Sequence, residues 1–133
     1  MDSVVHFEMP YEDRDRMAKF YEQTFGWQNQ MLGPEMGDYV VTMTTESTPE
    51  GPIKPGAING GFYQKSPGMP NPYPSVVISV DDIAASMKKI AAAGGKVLGE
   101  PMDIPGVGRY VSFLDPEGNR VSILQPSGTR RPG

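Results

Sequence analysis

His6 is the only histidine of this 133-residue chain, and Glu8 stands two residues further on in the stretch VVHFEM. In an extended strand, residues i and i+2 point to one face with Cα atoms roughly 6.7 Å apart. An imidazole and a carboxylate presented that way can transfer protons near neutral pH, because burial and neighbouring charge move both pKa values. They can also begin a metal site, although the spacing makes chelation of one ion by both awkward. The plainer use is structural, as the hydrogen-bonded wall of a polar pocket. Thiolate catalysis, iron–sulfur clusters and cysteine-based zinc sites are excluded, since the chain has no cysteine.

Composition narrows the partners. Twelve basic against sixteen acidic side chains give a net charge of -4, which disfavours phosphate backbones and anionic membranes. Neither nucleic acid nor membrane is an expected partner. No stretch approaches the ~20 apolar residues of a membrane span, and no basic segment precedes an apolar run at the amino terminus. A cytoplasmic protein of one domain is the expectation. The 16 glycines and 14 prolines are scattered and read as turns between short elements.

The elements that must hold His6 and Glu8 follow from periodicity. Val5, Phe7 and Met9 alternate with Val4, His6 and Glu8, as in a strand with one apolar face, and Pro10 is expected to end it. Asp13 is a natural N-cap for a helix whose stripe is Met17, Phe20, Tyr21 and Phe25, closed by Gly26. This helix should cover the Val5/Phe7/Met9 side and leave His6 and Glu8 facing away; Trp27 should pack beneath it. The pattern then returns in SVVISVDDIAASMKKIAAAGGK: a strand from Ser75 to Val80, an Asp81/Asp82 cap, a stripe of Ile83, Met87, Ile90 and Ala91, and a Gly94/Gly95 stop.

An offset of 69 residues relates His6 to Ser75, Asp13 to Asp82 and Gly26 to Gly95, and an offset of 71 relates GDYVVTM at Gly37 to GRYVSFL at Gly108. The chain is therefore a two-fold repeat of strand, helix and about three strands. ESTPEGPIKPG suits a hairpin excursion and QKSPGMPNPYP a linker, while DPEGN joins two strands of the second half as a hairpin. Module one is expected at about residues 3–65, module two at about 73–126, and a flexible tail at 127–133.

Together, the doubled unit, FYEQTFGW, AINGGFY, IPGVGRYVSFLDPEGN and VSILQ resemble the vicinal oxygen chelate superfamily over roughly Val4 to Gln125. That superfamily includes glyoxalase I (lactoylglutathione lyase), extradiol dioxygenases, fosfomycin-resistance enzymes and bleomycin-resistance binding proteins. The resemblance implies an α+β fold, two tandem βαβββ modules that curl an eight-stranded mixed sheet around a cup with the helices outside. It also implies that metal-using members carry ligands on the first and last strands of each module. His6 occupies the first such place. The others fall at Ser75, at Ser122, and at Asn59 or Gly60, where a second imidazole or glutamine and two carboxylates would be required. One ligating side chain out of four does not make a metal centre. No cofactor is expected, with a divalent metal such as Zn, Ni, Mn or Fe as the alternative.

Alternation then selects the lining of that cup: His6 and Glu8; Ser75, Val77 and Ser79; Arg120, Ser122 and Leu124; with Asn59, Tyr63, Thr42 and Tyr110 added from middle strands. Such a mixture of hydroxyls, an amide, one imidazole and apolar wall suits recognition of a small organic molecule. Met31, Met36, Met69 and Met102 could form an adaptable rim. The expected function is metal-independent binding of such a molecule, in the manner of bleomycin-resistance proteins. The alternative is a lyase or isomerase of the lactoylglutathione lyase type, using His6 and Glu8 as catalytic groups or a metal set not evident in the sequence. Open sheet edges call for cover, so a homodimer is expected.

Overall fold

A computed structural model of the chain describes residues 1–127, and the expected tail beyond Ser127 lies outside them. The fold is α+β, with two α-helices and eight long strands in mixed pairing, and it divides into two compact units. His6–Pro74 form one; residues 1–5 group with the chain from Ser75 onward in the other.

The first unit runs from His6 in β1 (Val4–Tyr11) through α1 (Arg14–Phe25), β2 (Gln28–Met31), a 3-10 turn at Pro34–Met36, β3 (Val40–Met43), a short hairpin of β4 (Ser47–Thr48) and β5 (Gly51–Pro52), and β6 (Asn59–Gln64). Its strand order is β2-β3-β6-β1, with β1 and β6 parallel and the other neighbours antiparallel. The hairpin is the excursion expected from ESTPEGP. Pro10, expected to end β1, sits inside it. Its ring-locked φ is compatible with extended backbone, and beyond it the Tyr11 carbonyl accepts the Lys65 N–H at 3.0 Å.

Helix α1 begins where Asp13 accepts the Arg16 N–H at 3.0 Å and stops at Gly26, whose φ of 75° is left-handed. Its inner face presents Met17, Ala18 and Tyr21. Phe20 and Phe25, expected on that stripe, are 53% and 61% exposed, because Phe20 flanks the contact line and Phe25 lies in the last turn. Beneath the helix, Tyr11, Val40 and Phe62 form the buried core with Phe7, Met9 and Trp27 around them. Trp27 stacks on Tyr21 with ring centroids 4.7 Å apart, as expected of a residue packed under the helix.

The second unit runs β7 (Ser75–Ser79), α2 (Ile83–Ala92), β8 (Lys96–Ile104), β9 (Gly108–Leu114) and β10 (Arg120–Pro126), in the order β7-β10-β9-β8. Asp82 caps α2 through the Ala85 N–H at 3.1 Å, and the Gln125 side-chain oxygen accepts the Ile83 N–H at 2.9 Å. Val80, Ile83, Val111 and Ile123 form its core, joined by Met87 and Ile90 from the helix; Ala91, placed on this stripe by periodicity, is exposed. In the DPEGN turn one Asp115 oxygen accepts the Glu117 and Asn119 N–H groups, both at 2.9 Å.

Candidate functional site: the faces opposite the helices

Strand pairing assigns each side chain to a face, since residues paired across a ladder point the same way. In the first unit Phe7 pairs with Gly60 and Met9 with Phe62, all on the helix side. His6 pairs with Asn59, Glu8 with Gly61 and Pro10 with Tyr63, which puts His6, Glu8, Asn59 and Tyr63 together on the opposite face. Val41 pairs with Gly61 and shares that face, and Met43 follows by alternation. Thr42 does not join them. It lies between these two on the helix side, where its hydroxyl donates to Asn29 Oδ1 at 2.7 Å, because β3 places Val40 in the core and Thr42 two residues on.

Glu8 is 8% exposed, and its Oε2 accepts the Tyr39 hydroxyl at 3.0 Å. Tyr39 was not among the residues selected by alternation, since it precedes β3. The signal that could have found it is the repeat that matches GDYVVTM to GRYVSFL, which makes Tyr39 the counterpart of Tyr110. Burial pushes the His6 imidazole below the usual histidine pKa and so favours its neutral form. Asn59 turns its amide to the neighbouring turn: Oδ1 accepts the Thr44 N–H at 2.9 Å, and Nδ2 donates to Ser47 Oγ at 2.7 Å.

In the second unit the pairs Ser122–Val77 and Leu124–Ser79, continued by Ser122–Ser112 and Leu124–Tyr110, set Val77, Ser79, Ser122, Leu124, Tyr110 and Ser112 on the face away from α2. Ser75 and Arg120 fall there by alternation. Three hydroxyls meet: Tyr110 and Ser122 at 2.7 Å, Ser112 and Ser122 at 2.8 Å. Ser112, missed in the sequence, stands two residues after Tyr110 and was available by the same alternation. Ser79 is 1% exposed, and its hydroxyl has no hydrogen-bond partner among the described residues. A surface groove of about 370 Å³ lies at the β8–β9 turn, lined in part by Asp103, Arg109 and Gln125; the first two pair with each other at 3.2 Å and Gln125 caps α2.

Among the described residues no three His, Cys, Asp or Glu side chains gather to hold a metal ion. Ser122 opposes Val77 in the second unit as Gly61 opposes Glu8 in the first, so the first-unit counterpart of Ser122 is Gly61, which has no side chain at all. Neutral hydroxyls are weak ligands for such an ion, and the Asn59 amide is already engaged with Thr44 and Ser47. No helix among the described residues is long and apolar enough to cross a membrane.

Comparison with known proteins gives, among others, four matches. The model of the Glyoxalase/Bleomycin resistance protein/Dioxygenase superfamily matches residues 3–123. CFP32 of Mycobacterium bovis, a glyoxylase by name, is 44% identical over 70 residues, 53% of this chain and 26% of CFP32; the chain thus spans about a quarter of that relative. A probable lactoylglutathione lyase of Vibrio cholerae is 30% identical over 128 residues, covering 92% of this chain and 89% of that protein. Among solved structures, methylmalonyl-CoA epimerase in complex with methylmalonyl-CoA and NH4+ superposes with a TM-score of 0.70 at 16% identity, covering 99% of both chains. At that identity the likeness is one of fold.

Proposed function

The chain belongs to the glyoxalase/bleomycin resistance protein/dioxygenase superfamily, and from that premise we propose that it binds a small organic molecule, without a metal, on the first unit's face opposite α1. The observation that carries this reading is the juxtaposition on one face of a buried, Tyr39-bonded Glu8, a desolvated His6, and the exposed apolar side chains of Val41 and Met43. A few placed polar groups against apolar wall orient an organic ligand while burial of its carbon surface supplies affinity. Ser79, Ser122 and Tyr110 supply hydroxyls of the same kind in the second unit.

The test is a thermal-shift screen of carbonyl compounds, thioesters and flat aromatics, run with and without EDTA. At least one class should raise the melting temperature equally in both conditions, since a ligand that binds only the folded state stabilises it. His6→Ala and Glu8→Ala should lose the shift while still melting cooperatively. Stoichiometric metal in protein purified without added ions, with ligand shifts abolished by EDTA, would overturn the reading.

A second reading is a lyase or isomerase, favoured by the same buried carboxylate. Glu8 would take a proton from carbon beside a carbonyl, the electron pair would move to the carbonyl oxygen, and return of the proton would complete an isomerisation. Turnover abolished by Glu8→Gln in folded protein would favour it; no turnover across those carbonyl compounds and thioesters would dismiss it.

A further inference from the structure

We propose that Tyr39 is a positioning residue for the Glu8 carboxylate, its phenol carried across β6 over Gly61 by a loop that Tyr11 and Arg14 clamp. The proposal rests on the reading of Glu8 as the ligand-facing carboxylate.

Space is the first observation. A Cβ at Gly61 would collide with the Tyr39 hydroxyl oxygen and ring carbons. Gly61 is not among the left-handed glycines, so the missing side chain serves room and not backbone freedom. In AINGGFY the two glycines clear opposite faces: Gly60 admits the Phe7 ring on the helix side, and Gly61 admits Tyr39 on the other.

The loop is the second. Asp38 holds a left-handed φ of 56°, unusual for a residue with a side chain. Such a conformation persists when its surroundings over-determine it. Here the Asp38 carbonyl accepts the Tyr11 hydroxyl at 2.7 Å and Arg14 Nη1 at 3.3 Å, and Arg14 Nη1 also donates to the Leu32 carbonyl at 2.8 Å. The backbone bond from Leu32 N–H to the Tyr39 carbonyl, 2.9 Å, closes the loop just before β3. Tyr39 thus leaves a pinned turn in one direction.

The internal repeat is the third. Tyr110 is the counterpart of Tyr39, Val77 of Glu8 and Ser122 of Gly61. In the second unit the tyrosine meets the Ser122 hydroxyl, 2.7 Å away, and the position equivalent to Glu8 is Val77. The first unit has both the carboxylate and the cleared path, so the fold alone does not require them. A hydroxyl donated to a carboxylate fixes its orientation and favours its charged form. On β1 and β6 the other titratable side chains that share the face are His6 and Tyr63.

The test is a carbon-13 NMR titration of the Glu8 carboxyl, assigned with Glu8→Gln, in the wild type, Tyr39→Phe, Gly61→Ala and the double variant, each checked by thermal melting. Tyr39→Phe and Gly61→Ala should each raise the Glu8 midpoint by about one pH unit, the worth of a single charge-assisted hydrogen bond. The double variant should shift no further, because both changes break one contact. An unchanged midpoint in folded Tyr39→Phe would overturn the proposal, as would additive shifts. If Gly61→Ala does not fold, the Tyr39→Phe titration still decides. No ligand enters this experiment, so an empty ligand screen would sink the proposed function alone, and an unmoved Glu8 midpoint this inference alone.

Discussion

Asn59 pairs with His6 across the parallel β1–β6 ladder, yet its amide is committed to the turn beside it, accepting from the Thr44 N–H and donating to Ser47 Oγ. Sharing a face with a candidate site and serving that site are different things. The difference can be measured.

Asn59→Ala should destabilise the protein by about 1–3 kcal/mol, the range for leaving partly buried hydrogen-bonding groups unpaired. Urea unfolding would show it as a lower midpoint at unchanged slope. A midpoint equal to the wild type would mean that the turn holds without this amide.

Two buried serines of one face should respond in opposite ways. Ser122→Ala removes the hydroxyl that links Tyr110 and Ser112 and should cost about 1–3 kcal/mol. Ser79→Ala removes a hydroxyl with no partner among the described residues and should be neutral or stabilising. Melting the two variants in parallel checks the contrast, and a large loss in Ser79→Ala would point to a partner not described for that hydroxyl.

His6 should give stability a pH dependence of defined sign. Burial lowers its pKa in the folded chain below the ordinary histidine value of about 6.5, so on acidification the unfolded chain takes up the proton first. Its contribution is therefore level above about pH 6.5 and is progressively lost as pH falls from there towards the folded-state pKa. The difference in unfolding free energy between wild type and His6→Asn, followed by urea titration from pH 8 to pH 5, should narrow on acidification. A difference that widens on acidification would require a partner that favours the imidazolium.

Gln125 should behave as a remote cap of α2. Its side-chain oxygen accepts the Ile83 N–H from 42 residues away, and Gln125→Ala should cost about 1 kcal/mol, as loss of an N-terminal cap does. Hydrogen exchange at Ile83 should quicken relative to the core amides, whereas uniform quickening would indicate a global effect.

Residues 1–127 carry much that local chemistry settles in advance. Asp13 and Asp82 cap the helices, Gly26 closes the first, and the period-2 alternation that set His6 and Glu8 against Phe7 and Met9 survives in the ladder. These features depend on neighbours within a few residues, and the two-fold repeat that pointed to the superfamily is the same local pattern met twice. Where the reading failed, the cause was equally specific. Thr42 was given the wrong face because the parity of β3 depends on which residue of the strand Phe62 meets, and that is Val40.

What a side chain does on its face was beyond local pattern. Tyr39 and Glu8 are 31 residues apart, and their contact needs a pinned Asp38 turn, the registration of β1 with β6, and the empty place at Gly61. None of these has a short-range signature, because strand register and the aim of a loop are set by pairing between distant segments. The sequence by itself determined the repeat, the helices and the faces of β1, where alternation is strict. Tertiary structure decided which of those residues meet, since only packing brings distant donors and acceptors within bonding distance.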